Sequence, residues 1–170
     1  TIPNSVTSIG KLAFGSCSGL AEIKVANGNS VYDSRNDCNA IIETSTNTLI
    51  VGCKNTIIPN SVTSIVEDAF LGCSGLTSVT IPNSVTSIKY QAFCGCSGLT
   101  SVTIPNSVTS IGEWAFSGCS GLTSVTIPNS VTSIGREAFL DCTGSTAIST
   151  PHGAPSIHDA PPFGCSGLAE

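Results

Sequence analysis

The feature that most restricts what this chain can fold into is a 23-residue period. Pro59, Pro82, Pro105, Pro128 and Pro151 recur at that spacing, and so do Cys73, Cys96, Cys119, Cys142 and Cys165. A unit of this size repeated in tandem cannot bury its apolar face alone, so it points to a solenoid whose coils are buried by their neighbours. The unit reads LTSVTIPNSVTSIxxxAFxGCSG, from Leu76 to Gly98 and again from Leu99 to Gly121. Its apolar positions are Leu76, Val79, Ile81, Val85, Ile88, Ala92, Phe93 and Cys96. No single helix or strand gathers these on one face, whereas a coil that turns back once per repeat points all of them inward.

Within a coil, Leu76, Val79 and Ile81 have the L-x-x-L-x-L spacing of the strand in a leucine-rich repeat, where stacked copies form one parallel sheet. Pro82 ends that strand because it has no amide to give the ladder. Ser84 to Ile88 is a second extended piece with β-branched residues alternating in and out, and Ala92-Phe93 reads as a single helical or 3₁₀ turn. The expected fold is an α/β repeat: a right-handed leucine-rich-repeat solenoid of six or so 23-residue coils, with one parallel β-sheet, short strands and single helical turns. It spans residues 1–170 with no separate domain and is about 30 Å long at the usual strand spacing. Its core is a column of Phe14, Phe70, Phe93, Phe116 and Phe139 beside a ladder of reduced thiols.

The pattern LxxVxIPxSVTxIxxxAFxxC resembles the BspA-like, or Treponema-type, branch of the leucine-rich repeats. Nearly perfect units start at Cys53, Leu76, Leu99 and Leu122, and a partial one covers Thr1 to Gly19. The resemblance implies a surface or secreted protein of a host-associated microbe, with adhesion to host matrix proteins or other microbes as the family's usual role.

Two segments break the period. The coil from Leu20 to Gly52 is 33 residues long, and within it 24–52 is a long stretch carrying an inserted hairpin, with Ile41-Ile42 facing Leu49-Ile50-Val51 across Glu43 to Asn47. Its Asp33, Arg35 and Asp37 form the densest charge cluster of the chain. A calcium loop needs more carboxylates at alternate positions and a closing Glu, so the cluster reads as a solvated loop. Residues 145–170 keep the period but lose its contents: Ser145 replaces the strand Leu, Thr150 the Ile, and Pro161-Pro162 the Ala-Phe. Neither end carries a capping sequence, as expected of a piece of a longer array.

Charge and residue chemistry narrow the function classes. Six Lys plus Arg against eleven Asp plus Glu, a net charge of −5, build no positive footprint for nucleic acid. No apolar run reaches the 18 residues of a membrane span. Of nine cysteines, Cys17, Cys73, Cys96, Cys119, Cys142 and Cys165 share one repeat position beside Phe and read as buried; Cys53 stands at a strand Leu position, and Cys38 and Cys94 read as exposed. His152, His158 and Cys165 match no zinc spacing and read as a polar loop. Glu67-Asp68 and Glu137 read as charge that keeps the variable turns soluble. No cofactor, metal or catalytic site is expected.

The surface pattern carries the functional expectation. Strand positions three and five point outward, giving Glu22 and Lys24, Asn55 and Ile57, Ser78 and Thr80, Ser101 and Thr103, Ser124 and Thr126: a flat face of hydroxyls with little charge. Variation falls in the turns before Ala-Phe, where Tyr90 and Trp114 stand out; aromatic residues are enriched at binding hot spots, though two such rings also serve to cover the Phe layer. Candidate ligand-binding residues are therefore Tyr90, Trp114, Asp33, Arg35 and Asp37, for a protein partner such as a host matrix protein, or a glycan. The expected role is a non-enzymatic interaction or adhesion module of a longer secreted or cell-surface protein. The alternatives are a spacer with no ligand, and an enzyme using Cys38, Cys94 or the His152 and His158 region.

Overall fold

The computed structural model describes residues 1–144 and, as backbone strands, 147–149 and 168–169. Twelve short strands are formed among the described residues: β1 (Tyr32–Asp33), β2 (Ile41–Glu43), β3 (Thr48–Val51), β4 (Ser64–Ile65), β5 (Ser78–Thr80), β6 (Ser87–Ile88), β7 (Ser101–Thr103), β8 (Ser110–Ile111), β9 (Ser124–Thr126), β10 (Ser133–Ile134), β11 (Ala147–Ser149) and β12 (Leu168–Ala169). The solenoid with parallel strands stands as expected, but it has two sheets where one was foreseen. One runs β5-β7-β9-β11-β12, all parallel; the other runs β1-β2-β3-β4-β6-β8-β10. The Val-Thr-Ser-Ile piece is the reason. It pairs coil to coil in a register shifted by one full repeat, Ser87 opposite Ser110 and Ser110 opposite Ser133, and so becomes a sheet of its own.

Proline divides the two strands of each coil. The Val85 amide donates to the Pro82 carbonyl at 3.0 Å, and Val108 and Val131 repeat that turn on Pro105 and Pro128. Hydroxyls then latch successive coils. Ser107 Oγ donates to the Val85 carbonyl and Ser130 Oγ to that of Val108, each at 2.7 Å, while Thr100 and Thr109 donate to the Thr77 and Thr86 carbonyls. The Ser hydroxyls thus give the Val85 and Val108 carbonyls a donor, and the Thr hydroxyls add a second bond to carbonyls that already accept the Thr100 and Thr109 amides, which gives the fixed Ser and Thr positions a structural cause.

The Ala-Phe segment is a run of hydrogen-bonded turns rather than a helical turn. Alternate amides point along the solenoid: Gln91, Phe93 and Gly95 donate to the carbonyls of Glu113, Ala115 and Ser117 in the next coil, and Trp114, Phe116 and Gly118 repeat this one coil on. The geometry needs left-handed backbone twice per turn, at Gln91 and Gly95, Trp114 and Gly118, Glu137 and Asp141. Such residues cannot propagate a right-handed helix, so the segment forms a third inter-coil ladder instead.

The core follows the ladders. Phe70, Phe93, Phe116 and Phe139 stack with centroids 4.9, 5.2 and 5.3 Å apart, and Cys96, Cys119 and Cys142 donate S–H to the carbonyls of Phe70, Phe93 and Phe116 at 3.2 Å. All eight cysteines among the described residues are free thiols. Phe14, expected in the same column, is not in it: it is half-buried in a separate cluster with Ile2, Val6, Ile9 and Leu20. The cause is the long coil, which has no Phe to carry the stack from Phe14 to Phe70. Gly52 lies there instead, its amide donating to the Ala69 carbonyl, and a Cβ on it would stand 2.0 Å from the Phe70 ring.

The inserted hairpin forms as expected, β2 antiparallel to β3 with a bulge between Ile41 and Ile42. It is part of the body, since β3 pairs in parallel with β4 and Ile41, Ile42 and Leu49 are fully buried. Asn29 pins this coil to the first: its amide nitrogen donates to the Pro3 and Val6 carbonyls and its oxygen accepts from the Val31 and Tyr32 amides. Of residues 145–170, β11 continues the sheet by pairing Ala147 with Ser124 and Ile148 with Val125, and β12 pairs with β11. Ser145, Thr150, Pro161 and Pro162 lie outside the described residues, as do His152, His158, Asp159 and Cys165.

Candidate functional site

The variable turns form an edge in which the ladder sets each side chain one coil from its counterpart. Tyr90 and Trp114 occupy different positions of their turns, yet the stagger brings the rings together, centroids 5.8 Å apart and tilted by 40°. The Trp114 indole N–H donates to Glu137 Oε2 at 2.5 Å, and Glu137 Oε1 meets Arg136 Nη2 at 3.1 Å. A continuous row, Tyr90, Trp114, Glu137, Arg136, therefore crosses three successive coils. Both rings are half-buried rather than fully exposed. Trp114 has φ +55°, a left-handed conformation shared by Leu12, Asp68, Gln91 and Glu137 at the same repeat position, and so it belongs to the turn. The row presents aromatic faces already fixed in place, with one exposed cation at its end, and rigid aromatics lose little entropy on binding.

The acidic and basic residues of the long coil have a different arrangement. Arg35 forks onto Asp33, Nε to Oδ1 at 2.9 Å and Nη2 to Oδ2 at 2.6 Å, while Nη1 donates to Asn47 Oδ1 at 2.6 Å at the hairpin turn. The pair ties the β1–β2 loop to the hairpin, and the Asp33 hydrogen bond drives the Arg35 pKa further up. Asp37 is exposed beside it, at the end of the 3₁₀ turn Arg35–Asp37. Asp33 and Arg35 thus come together, apart in sequence from the Tyr90 row by more than one coil.

Two cysteine expectations are corrected. Cys38 is fully buried, because the loop folds back and the Ile57 amide donates to its carbonyl, whereas Cys17, at the ladder position, is exposed because no equivalent turn covers it. Cys94 is half-buried. Burial pushes the thiol pKa of Cys38 and of Cys94 up, which opposes the thiolate that nucleophilic chemistry requires. Asp68 was also misjudged: its neighbour Glu67 is exposed, but its own side chain is 5% exposed.

Three backbone ladders, a proline-divided coil and a Phe column with a thiol ladder define a leucine-rich-repeat solenoid. The BspA type leucine-rich-repeat region matches six copies over residues 1–47 and 42–168, and the chain belongs to that family. A leucine-rich cell surface protein from Faecalibacterium prausnitzii has a similar structure, with TM-score 0.81 and 31% identity over 98% of this chain and 46% of that one. A leucine-rich repeat protein from Bacteroides ovatus gives TM-score 0.60 and 32% identity over 90% of this chain and 30% of the other. The T. pallidum leucine-rich repeat protein gives 0.54 and 38%, covering 56% and 44%. The chain spans less than half the length of each. Comparison with curated proteins finds no match. No helix among the described residues is long and apolar enough to cross a membrane, and no cluster of three or more His, Cys, Asp or Glu among them is arranged to hold a metal.

Proposed function

We propose that this chain is a non-enzymatic protein-interaction or adhesion module of a longer secreted or cell-surface protein, with the row Tyr90, Trp114, Glu137 and Arg136 as its contact edge. The observation that carries this is the Tyr90–Trp114 pair, held by the Glu137 hydrogen bond in a surface whose other faces repeat. A specific partner needs differences between positions, and the sheet face offers the same Ser and Thr in the three successive coils of β5, β7 and β9. Likeness to a cell surface protein over nearly the whole chain supports the setting. Host matrix proteins are the first partners to test.

A second reading has its own support. A shallow hollow of about 770 Å³ lies over Ser101, Thr103, Ser124 and Thr126, walled by Asn106 and Asn129, and its hydroxyl and amide lining suits a glycan. Binding to immobilised matrix proteins, measured with a Tyr90→Ala, Trp114→Ala double variant and a Ser101→Arg, Thr103→Arg double variant, separates the readings. The edge reading expects the first variant to lose at least about tenfold in affinity, the scale of a single hot-spot side chain, and the second to bind as the parent does. The reverse pattern assigns the sheet face, and no binding by the parent chain assigns a spacer.

A further inference from the structure

The long coil omits the turn that its neighbours have. Three residues, Ile50 to Gly52, lie between Leu49 and Cys53, where the following coil has ten, Lys89 to Gly98, between the register-equivalent Ile88 and Leu99. The turns of the first coil and of the Cys53 coil are consequently held together by little backbone bonding, Ser16 N–H to the Leu71 carbonyl at 2.9 Å, and the rest of the gap is open. It is a cleft of about 470 Å³, within the range of small-ligand pockets, walled by Ile9, Phe14, Val51 and Phe70 with Lys11 and Asp68 among its lining.

Asp68 is the residue that this cleft leaves unexplained. Its side chain is 5% exposed, Oδ2 meets the Lys11 ammonium at 3.6 Å, and Oδ1 is buried with no hydrogen-bond partner. Lys11 is largely exposed and shared with Glu67 at 3.4 Å, so one ammonium faces two carboxylates. A buried acceptor without a donor is unfavourable and rare in folded proteins. We propose that the cleft binds a small amphiphilic amine, its ring or branched apolar body against Phe14 and Phe70 and its ammonium donating to the Asp68 carboxylate. The terminal torsion of an aspartate is broad, so the carboxyl turns Oδ1 toward the ligand as Lys11 shifts onto Glu67. Lys11 and Lys89, which also lines the cleft, are exposed and their charge is screened, whereas the buried carboxylate acts on a seated ligand at low dielectric. This site adjoins the Tyr90 row, since the Asp68 amide donates to the Tyr90 carbonyl at 3.2 Å and Lys89 lines the cleft, but it rests on other side chains and on a test of its own.

The test titrates the chain with 2-phenylethylamine, 2-phenylethanol and 3-phenylpropanoate, by calorimetry and by the rate at which Cys17 reacts with a thiol reagent. Cys17 is exposed and lines the cleft, and mass mapping against Cys94 isolates its rate. The expected order is amine, then alcohol weaker by at least about tenfold, the scale of a charge-assisted hydrogen bond, then no binding of the carboxylate; the amine slows Cys17 labelling. Asp68→Asn tolerates the left-handed backbone and keeps the shape, so it retains the unfolding midpoint while weakening the amine at least about tenfold and leaving the alcohol unchanged. Absence of amine binding, equal binding of amine and carboxylate, or amine affinity unaltered in Asp68→Asn overturns the proposal, the first of these by leaving buried water as the partner of Asp68.

Discussion

The same motif, Ala-Phe followed by Cys three residues on, has opposite fates at the two ends of the described chain. In the coils from Leu76 onward Phe93, Cys96, Phe116 and Cys119 have no measurable exposure; in the first coil Phe14 is half-buried and Cys17 exposed. Local sequence cannot account for this, because Phe-Gly-Ser-Cys-Ser-Gly at Phe14 differs little from Phe-Ser-Gly-Cys-Ser-Gly at Phe116. What differs is the neighbour. A solenoid residue is buried by the coils on either side, and the long coil gives Phe14 a three-residue link where Phe93 has full turns both before and after it.

The largest expected effect follows directly. Phe93→Ala removes a ring stacked on both faces and should cost about 3–5 kcal/mol, whereas Phe14→Ala should cost roughly 1–2 kcal/mol, as expected for a partly buried side chain. Urea unfolding midpoints with unchanged m-values measure both; equal losses would break the comparison.

A second effect comes from the thiols. Burial raises the folded-state pKa of Cys73 to about 11 and that of Cys96 and Cys119 further still. In the unfolded chain a thiol ionises near about 8.5. Between those values the folded protein holds protons that the unfolded chain has released, so stability is complete below about pH 8.5 and falls as pH rises, by about 1.4 kcal/mol per pH unit for each such thiol. Cys119→Ala should flatten that slope by one thiol's share, measured by urea midpoints between pH 8 and 10. An identical slope in the variant would show that the ladder is not its source.

The smallest effect sharpens the contrast between coil surface and coil interior. Thr100→Val removes a hydroxyl that latches onto the Thr77 carbonyl at 3.0 Å in an exposed position, and should cost about 0.5–1 kcal/mol in thermal unfolding. A loss as large as that for Phe93 would mean that the latches, not the column, hold the coils together.

Much of this fold was legible because every fixed position is printed several times. Leu76, Val79 and Ile81 point inward and Ser78 and Thr80 outward, as the alternation requires, and the hairpin of β2 and β3 was marked by its two apolar runs. The second sheet was less visible, because strands of two residues such as Ser87–Ile88 carry no pairing signal within one coil. The turn was misread as helical because left-handed backbone falls on Asp68, Gln91, Trp114 and Glu137, residues of no common type. Tyr90 and Trp114 could be picked out as variable aromatics, but their contact could not, since it depends on the stagger between two different repeat positions.

The antiparallel meander β1-β2-β3 has one further consequence. Adjacent coils such as Leu76 to Gly98 and Leu99 to Gly121 are nearly interchangeable, and each would pair with the wrong neighbour about as well as with the right one. A chain built only of such units carries no record of which coil comes first, and during folding it would slip by whole repeats at little cost. The meander fits nowhere else: its bulged pairing, the Asn29 clamp and the Arg35 fork each match a single location. It works as the index mark on an otherwise unnumbered scale, and a chain from which it was deleted should remain solenoidal yet lose its unique alignment.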